Sequence, residues 1–506
     1  MYQLSMTDAF MLAAENERQT LQVGSLSILA PPADGETPVT RQVLRDLVAR
    51  RIHLAPALCR KLLRVPLGLD HPYWVDDPVL DIDYHVRDMA LTPPGSDRQL
   101  AEKVAQIISQ PLDHSRPLWE LHLIHGLEGG RSALLFKLHH ASVDGISALE
   151  LHEMLFDRGS EGREVVPPTA APQERVPSNW AMLGRGLASV PGQVVRAVYG
   201  GLRSLAYLDQ LMPFRVTPGF GTVSRATRRL ARLLRIGGEG MLLEGEDLRV
   251  PRTMFDRPIT PHRRWAFARV PLDEAKRVKR HFGVTLNDVV VATIAGAVRE
   301  WLQELDELPD DPLVALVPVS VRNEDDDAGG NRVEVMLVPL PTDQESPERR
   351  IMLTHQALRR AKERHKAVPA SAMHGASHFI MPALFGPASR AATLIASLGS
   401  AHANLVMSNV PGPPTSVYVA GARVEELYPV GGLVEGFGFT TIVFSYAGGL
   451  HLGFVVDRDS RADPWRLAAA FERSQRELLA HTPRQTARSV RPAAQPSGSW
   501  LPRSIR

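Results

Sequence analysis

Strand-length apolar runs alternate with longer helical runs on both sides of a proline-rich stretch, and this repetition limits the fold more than any other feature. Before the stretch, 21–29, 119–127 and 132–138 read as strands, while 41–51, 99–108 and 146–156 carry apolar residues at helical spacing. After it, 265–270, 313–321 and 333–340 read as strands. There 440–446 and 450–456 form a hairpin turned by Gly448-Gly449, and 285–305, 347–363 and 464–479 read as helices. The stretch itself, 160–178, holds Pro167, Pro168, Pro172 and Pro177 and reads as a linker. Two α/β sandwich domains are the expected architecture, because 506 residues exceed one ordinary core. The expected divisions are a first domain at 1–160, a linker with a basic segment at 161–250, a second domain at 251–482, and a disordered basic tail at 483–506.

Composition removes several classes. A single cysteine, Cys59, rules out a disulfide framework or a cysteine-based metal site within the chain and fits a reducing compartment. The N-terminus lacks a basic region followed by an apolar run, so no secretory signal is expected. The longest candidate span, 378–399, is interrupted by Pro382, Pro387 and Arg390, too broken to cross a bilayer. Charge is uneven: nine arginines face one acid between 182 and 235, and the tail holds five arginines and no acid. Such runs suit an anionic surface. The run 226–236, with Leu230, Leu233 and Leu234 on one side and arginines on the other, reads as an interfacial helix or a solvated one packed on a domain. No base-reading motif accompanies the basic runs, so nucleic acid is not expected as a partner.

The residues able to do chemistry concentrate at Leu138-His139-His140-Ala141-Ser142-Val143-Asp144-Gly145, between an apolar strand and a helix. Turns of this kind commonly display catalytic groups. Adjacent residues on an extended segment face opposite ways, so His139 and His140 are poorly placed to chelate one ion together, and no metal is expected. The plain alternative is a pair of core histidines. An imidazole supplies a base near neutral pH, able to take a proton from an alcohol attacking a thioester and pass it to the departing thiolate. No serine or cysteine nucleophile is required. Gly145 suits close backbone approach by substrate or a helix-entry turn.

The motif resembles the active-site sequence of the chloramphenicol acetyltransferase-like superfamily. Further segments narrow the resemblance to the bacterial wax ester synthase/diacylglycerol acyltransferase family. They are Leu4-Ser5-x-x-Asp8-Ala9-Phe10, Pro111 to Glu120 with Pro117-Leu118-Trp119, Thr285-Leu286-Asn287-Asp288-Val289, Pro318 to Arg322, Gly330-Asn331, Ser408-Asn409-Val410-Pro411 and Ser445-Tyr446-Ala447-Gly448. They follow the family's order over about 1–480. The resemblance implies two chloramphenicol acetyltransferase-like domains with a substrate tunnel between them. It implies acyl-CoA as a consumed substrate with no resident cofactor, and diacylglycerol or a long-chain alcohol as acceptor. It also implies a cytoplasmic protein held peripherally at the inner membrane or lipid droplets.

The resemblance makes His140 the base and His139 a supporting residue. Asp144 becomes an orienting carboxylate paired with Arg322, as a buried acid requires. Asn287 is a polar tunnel candidate, whereas Asp288 reads equally as a helix cap from Thr285-x-x-Asp288. The segment Pro117-Leu118-Trp119 lines the acceptor side by resemblance, or fills core by composition. Ser408 and Asn409 lie near the tunnel, with Asn409 favoured as a loop-holding residue over an oxyanion donor. Arg263-Arg264 offers guanidinium forks for CoA phosphates. Asp256 stands where the family pattern leads one to expect Asn followed by Gly, which bears on acyl or acceptor preference. Two alternatives remain open: a carrier-protein-dependent, condensation-type acyltransferase, although no carrier domain is present, and a non-catalytic lipid-droplet lipid binder.

Overall fold

The computed structural model describes residues 1–32, 38–143, 148–166, 176–204, 248–320, 333–366, 403–461 and 463–483. Two mixed six-stranded sheets organise them. The first runs Tyr418–Val419, Ala422–Val430, Gln22–Leu29, Ser132–His139, Trp119–His125, Val86–Ala90. The second runs Val333–Leu340, Leu313–Ser320, Leu405–Pro411, Phe439–Tyr446, Gly449–Asp457, Arg263–Pro271. A small third sheet joins Tyr2–Gln3, Tyr73–Asp76 and Arg60–Leu63. The strand and helix alternation read from the sequence is thus an α/β sandwich of two halves. The interfacial helix expected at 226–236 and nearly all of the tail lie outside the described residues.

The strand Ser132–His139 lies inside the first sheet, and both of its faces are covered. Leu134, Phe136 and Leu138 face a core shared with Leu44, Leu47 and Val48 of the helix Arg41–Arg51, while Ala133 and Leu135 face Leu100 and Val104 of the helix Asp97–Ser109. Covering both faces removes the polar alternation of a half-exposed strand, which is why the sequence reads as one apolar run. In the second half the helix Leu286–Glu304 contains Val289-Val290-Val291, a β-branched run that helices disfavour. Burial overrides propensity there, since thirteen of its residues are buried against the sheet and its neighbouring helices. Among the described residues no single helix is long and apolar enough to cross a membrane.

The halves share strands. Residues 418–430, although late in the chain, pair into the first sheet, with Leu427 opposite Ser27 and Val430 opposite Gly24. The sequence division that put all of 251–482 in a second domain does not anticipate this crossing. A common core of Leu26, Ile28, Val104, Trp265, Phe267 and Val455 locks the halves together. At Gly453 a Cβ would stand 1.9 Å from Pro429 O, so only glycine lets the two sheets approach this closely.

Candidate active site

The two histidines end the first sheet's central strand. His139 closes the ladder opposite Gln22, and its N–H donates to Leu118 O at 3.0 Å. His140 opens the short helix His140–Val143, and its N–H donates to Leu21 O at 2.8 Å. The Leu21–Gln22 backbone therefore fixes the turn on which His140 sits. The imidazole keeps a little exposed surface although protein surrounds it, and its Nδ1 is buried without a hydrogen bond. Burial pushes the His140 pKa down from the usual imidazole range, and neighbouring His139 acts in the same direction. The ring is neutral at neutral pH, with a lone pair free to take a proton.

His139 is held differently. It is fully buried, and Ala141 N–H donates to its Nδ1 at 3.0 Å. The ring proton therefore sits on Nε2, which lies 3.0 Å from Glu15 Oε1, off the line of a straight hydrogen bond. The other oxygen of Glu15 is 2.8 Å from His114 Nε2, and Arg64 donates to His114 Nδ1 at 2.9 Å. Burial alone would push the Glu15 carboxyl up, but His114 and His139 outweigh it and hold it at about 2. Glu15 caps the end of the helix Met6–Ala14, whose start is fixed by Ser5 accepting from Asp8 N–H. The Leu4-Ser5-x-x-Asp8 segment thereby helps place a carboxylate between His139 and His114.

Sequence reading missed Glu15 and His114, because the contact joins three distant stretches with no shared motif. Their donor atoms and that of His139 lie within 4.8 Å of one another, a spacing suited to a metal ion. Hydrogen bonding favours a proton network instead. Both rings accept at Nδ1, so both present an N–H, not a lone pair, to Glu15.

Gln22 was also missed. It is 1% exposed, and neither its amide oxygen nor its nitrogen has a hydrogen-bond partner. Registered partners project to the same face, so its side chain shares the His139 side of the sheet. A buried, unsatisfied amide is costly and calls for an explanation. Ser142 Oγ, Thr440 Oγ1 and Thr441 Oγ1 are likewise buried and unpartnered.

The other sequence candidates separate clearly. Asp144, Gly145 and Arg322 lie outside the described residues. Pro117, Leu118 and Trp119 are buried. Trp119 stacks on His85 at 4.3 Å and donates to Leu58 O at 2.8 Å, which makes it core. Asp288 completes the capping box with Thr285 and also takes His355 Nδ1 at 2.7 Å. Asn409 donates to Asn287 Oδ1 at 3.2 Å, joining two of the motif segments, and Ser408 is half-buried beside it. Arg263 corrects the phosphate reading. It is buried, donates to the carbonyls of Thr260, His262 and Arg18, and lies 3.8 Å from Asp457. Arg264 alone of that pair is exposed. Asp256 is buried with Oδ2 accepting from Thr253 N–H at 2.6 Å and Oδ1 unpartnered; burial pushes its pKa up to about 6.

Comparison with known proteins gives a consistent result. Residues 4–290 match the wax ester synthase/diacylglycerol acyltransferase catalytic domain, and residues 329–479 match the WS/DGAT C-terminal domain. A Mycobacterium tuberculosis protein with the provisional name diacylglycerol O-acyltransferase Rv1760 is 35% identical over 484 residues, 95% of this chain and 90% of that one. The probable diacylglycerol O-acyltransferase tgs2 of the same species is 33% identical, over 93% of this chain and 97% of its own. The solved wax ester synthase/diacylglycerol acyltransferase from Marinobacter aquaeolei VT8 superposes with a TM-score of 0.67 at 26% identity, covering 94% of this chain and 98% of that one. The starter condensation domain of rhizomide synthetase RzmA, at 13% identity and a TM-score of 0.50 over 95% and 94% of the two chains, shares the fold alone.

Proposed function

This chain belongs to the wax ester synthase/diacylglycerol acyltransferase family and is an acyltransferase, and we propose that it moves a long-chain acyl group from acyl-CoA to diacylglycerol, with long-chain alcohols as a second class of acceptor. The observation that carries the mechanism is His140: an imidazole kept neutral by burial, at a strand end on a turn fixed by Leu21 O, with part of its ring still exposed.

His140 acts as the general base. It takes the acceptor hydroxyl proton as the oxygen attacks the thioester carbonyl. The tetrahedral adduct then collapses, the C–S bond breaks, and the proton passes to the thiolate, releasing free CoA and an ester. A base of this kind supplies roughly 10²–10⁴-fold, and alignment of two bound substrates supplies much of the rest. His139, tied to Glu15, holds the turn rather than transferring protons. The family resemblance assigns the orienting role to Asp144, with Arg322 as its partner. The Gln22 amide, buried and unpartnered, offers a polar contact to bound substrate. The reaction consumes acyl-CoA and needs no resident cofactor. Its product is insoluble, which fits a cytoplasmic protein working at the inner membrane or a lipid droplet.

The test is a matched assay. Wild type and His140→Ala each receive labelled palmitoyl-CoA with dioleoylglycerol or with hexadecanol, and the lipid products are separated. His140-dependent product is expected, and the ratio between the two acceptors names the preferred reaction. Absence of product with both acceptors would overturn the acyl-CoA reading in favour of a carrier-bound donor or a non-catalytic lipid binder.

A further inference from the structure

The seam between the two halves holds a buried hydroxyl that the mechanism leaves unused. In the second sheet Leu316 registers with Val406, Val406 with Thr440, and Thr440 with Val455. Registered partners share a face, so these four side chains form one row. Val455 belongs to the core that joins the halves, so the row looks toward the first sheet. Its two ends differ. Val455 and Thr440 are buried, whereas Val406 and Leu316 are only half-buried, as are Ser408 and Ile442 two residues along the same face. The second sheet is thus sealed against the first at Val455 and opens into an apolar bed at Val406 and Leu316.

Thr440 stands where the seal ends. The pair Gly431-Gly432, just after the strand Ala422–Val430, touches both sides of the seam. A Cβ on Gly431 would stand 3.2 Å from Thr440 Cγ2, and one on Gly432 would stand 2.9 Å from Gln22 O. Gln22 in turn lies opposite His139 and follows Leu21, whose carbonyl fixes His140. Gln22 is 1% exposed and Thr440 5%. Among the described residues neither the Gln22 amide nor Thr440 Oγ1 has a hydrogen-bond partner. Buried polar groups left this way are rare and costly, and two of them meet beside the proposed base. The next threonine, Thr441, faces the other way, into the second half's own core with Phe454.

Chemistry selects the ligand. A threonine hydroxyl and an amide NH₂ donate hydrogen bonds, and an ester carbonyl oxygen accepts them. A long-chain alcohol has one polar group, the hydroxyl that must reach His140, and only hydrocarbon beyond it. Diacylglycerol carries ester carbonyls a few bonds from its hydroxyl, with acyl chains beyond them. Donors a short way from the base, followed by an apolar bed, match that order of hydroxyl, ester and chain.

We infer that Thr440, with Gln22 across the seam, binds an ester carbonyl of a diacylglycerol acceptor and so favours glycerides over plain alcohols. One acyl chain then lies along Val406 and Leu316. The inference rests on the acceptor reading proposed above and deepens it, because it gives the choice between the two acceptor classes to named side chains.

Labelled dioctanoylglycerol and labelled dodecanol are each equilibrated with the full chain without acyl-CoA, and the ratio of the two affinities is measured. Binding is read in place of transfer, so failure of the acyl-CoA reading leaves the result standing. Thr440→Val keeps the size and removes the hydroxyl; it is expected to lower the glyceride-to-alcohol ratio about five- to tenfold, the worth of one hydrogen bond. Gln22→Leu should lower it as well. Thr440→Ser restores the donor and should recover most of the ratio, whereas Thr441→Val, on the opposite face, should leave it at the wild-type value. A wild-type ratio in Thr440→Val, an equal fall in Thr441→Val, or no binding of dioctanoylglycerol by the wild type would overturn the inference. So would a loss of palmitoyl-CoA affinity in Thr440→Val in place of the fall in ratio, since the hydroxyl would then serve the donor.

Discussion

Replacing Asp256 by asparagine should make this protein more stable, and only above the pH at which the carboxyl ionises. Asp256 is 8% exposed, and burial raises its pKa from the ordinary 3.8 to about 6. For an acid raised on folding, the folded state binds the proton more tightly, so stability falls as pH rises from the unfolded pKa through the folded one. A displacement of about two pH units corresponds to about 3 kcal/mol in full above pH ~7, and about half of that at pH ~5. Asparagine keeps one carbonyl oxygen for the bond from Thr253 N–H, and its NH₂ takes the place of Oδ1, which has no partner. An unsatisfied amide subtracts roughly 1–2 kcal/mol. The expected net gain is therefore about 1–2 kcal/mol at pH ~7.5, shrinking toward zero by pH ~5. Urea unfolding of both proteins at the two pH values measures it. A variant less stable than wild type at the higher pH, or a difference independent of pH, would refute the reasoning.

Four further outcomes are expected. His140→Ala should lower the rate of transfer by at least roughly 10²-fold with an unchanged urea midpoint; equal loss in a folded His139→Ala would move the base to the other ring. Because the His140 pKa is lowered, kcat/KM should stay level as pH falls through 6.5 and decline only at lower pH, and a midpoint above 6.5 would contradict the burial argument. Glu15, held at about 2 against an ordinary 4.5, stabilises the fold above its unfolded pKa and loses that effect as pH falls through the folded one. Glu15→Gln should thus cost roughly 1–3 kcal/mol near neutrality in urea unfolding and slow turnover, and wild-type behaviour in both would dismiss the network. Gln22→Leu removes an amide with no protein partner, so stability should hold while kcat/KM falls about tenfold; full activity would separate Gln22 from the substrate.

Much of this architecture was legible in the sequence because local burial leaves a local trace. The strand Ser132–His139, covered on both faces, and the capping box of Thr285 and Asp288 each declare themselves within a few residues. The strand-to-helix setting of His139 and His140 was readable for the same reason. Long-range closure leaves no such trace. Nothing near Glu15 says that its carboxylate meets His139 and His114. The alternation at 422–430 specifies a strand but not which sheet edge it completes. Arg263 offers an ionic group in the sequence, and only the folded backbone supplies the carbonyls that use up its donors.

The late strand Ala422–Val430 also sets a schedule for synthesis. Until it emerges from the ribosome, Gln22–Leu29 has one open edge, and the strand carrying His139 lies directly beside it. At roughly 5–20 residues per second the interval lasts on the order of tens of seconds. An unpaired edge is an invitation to join other chains. Chaperone attendance on the nascent chain, and a severe solubility penalty for any truncation that ends before residue 418, are the consequences for a cell making this protein.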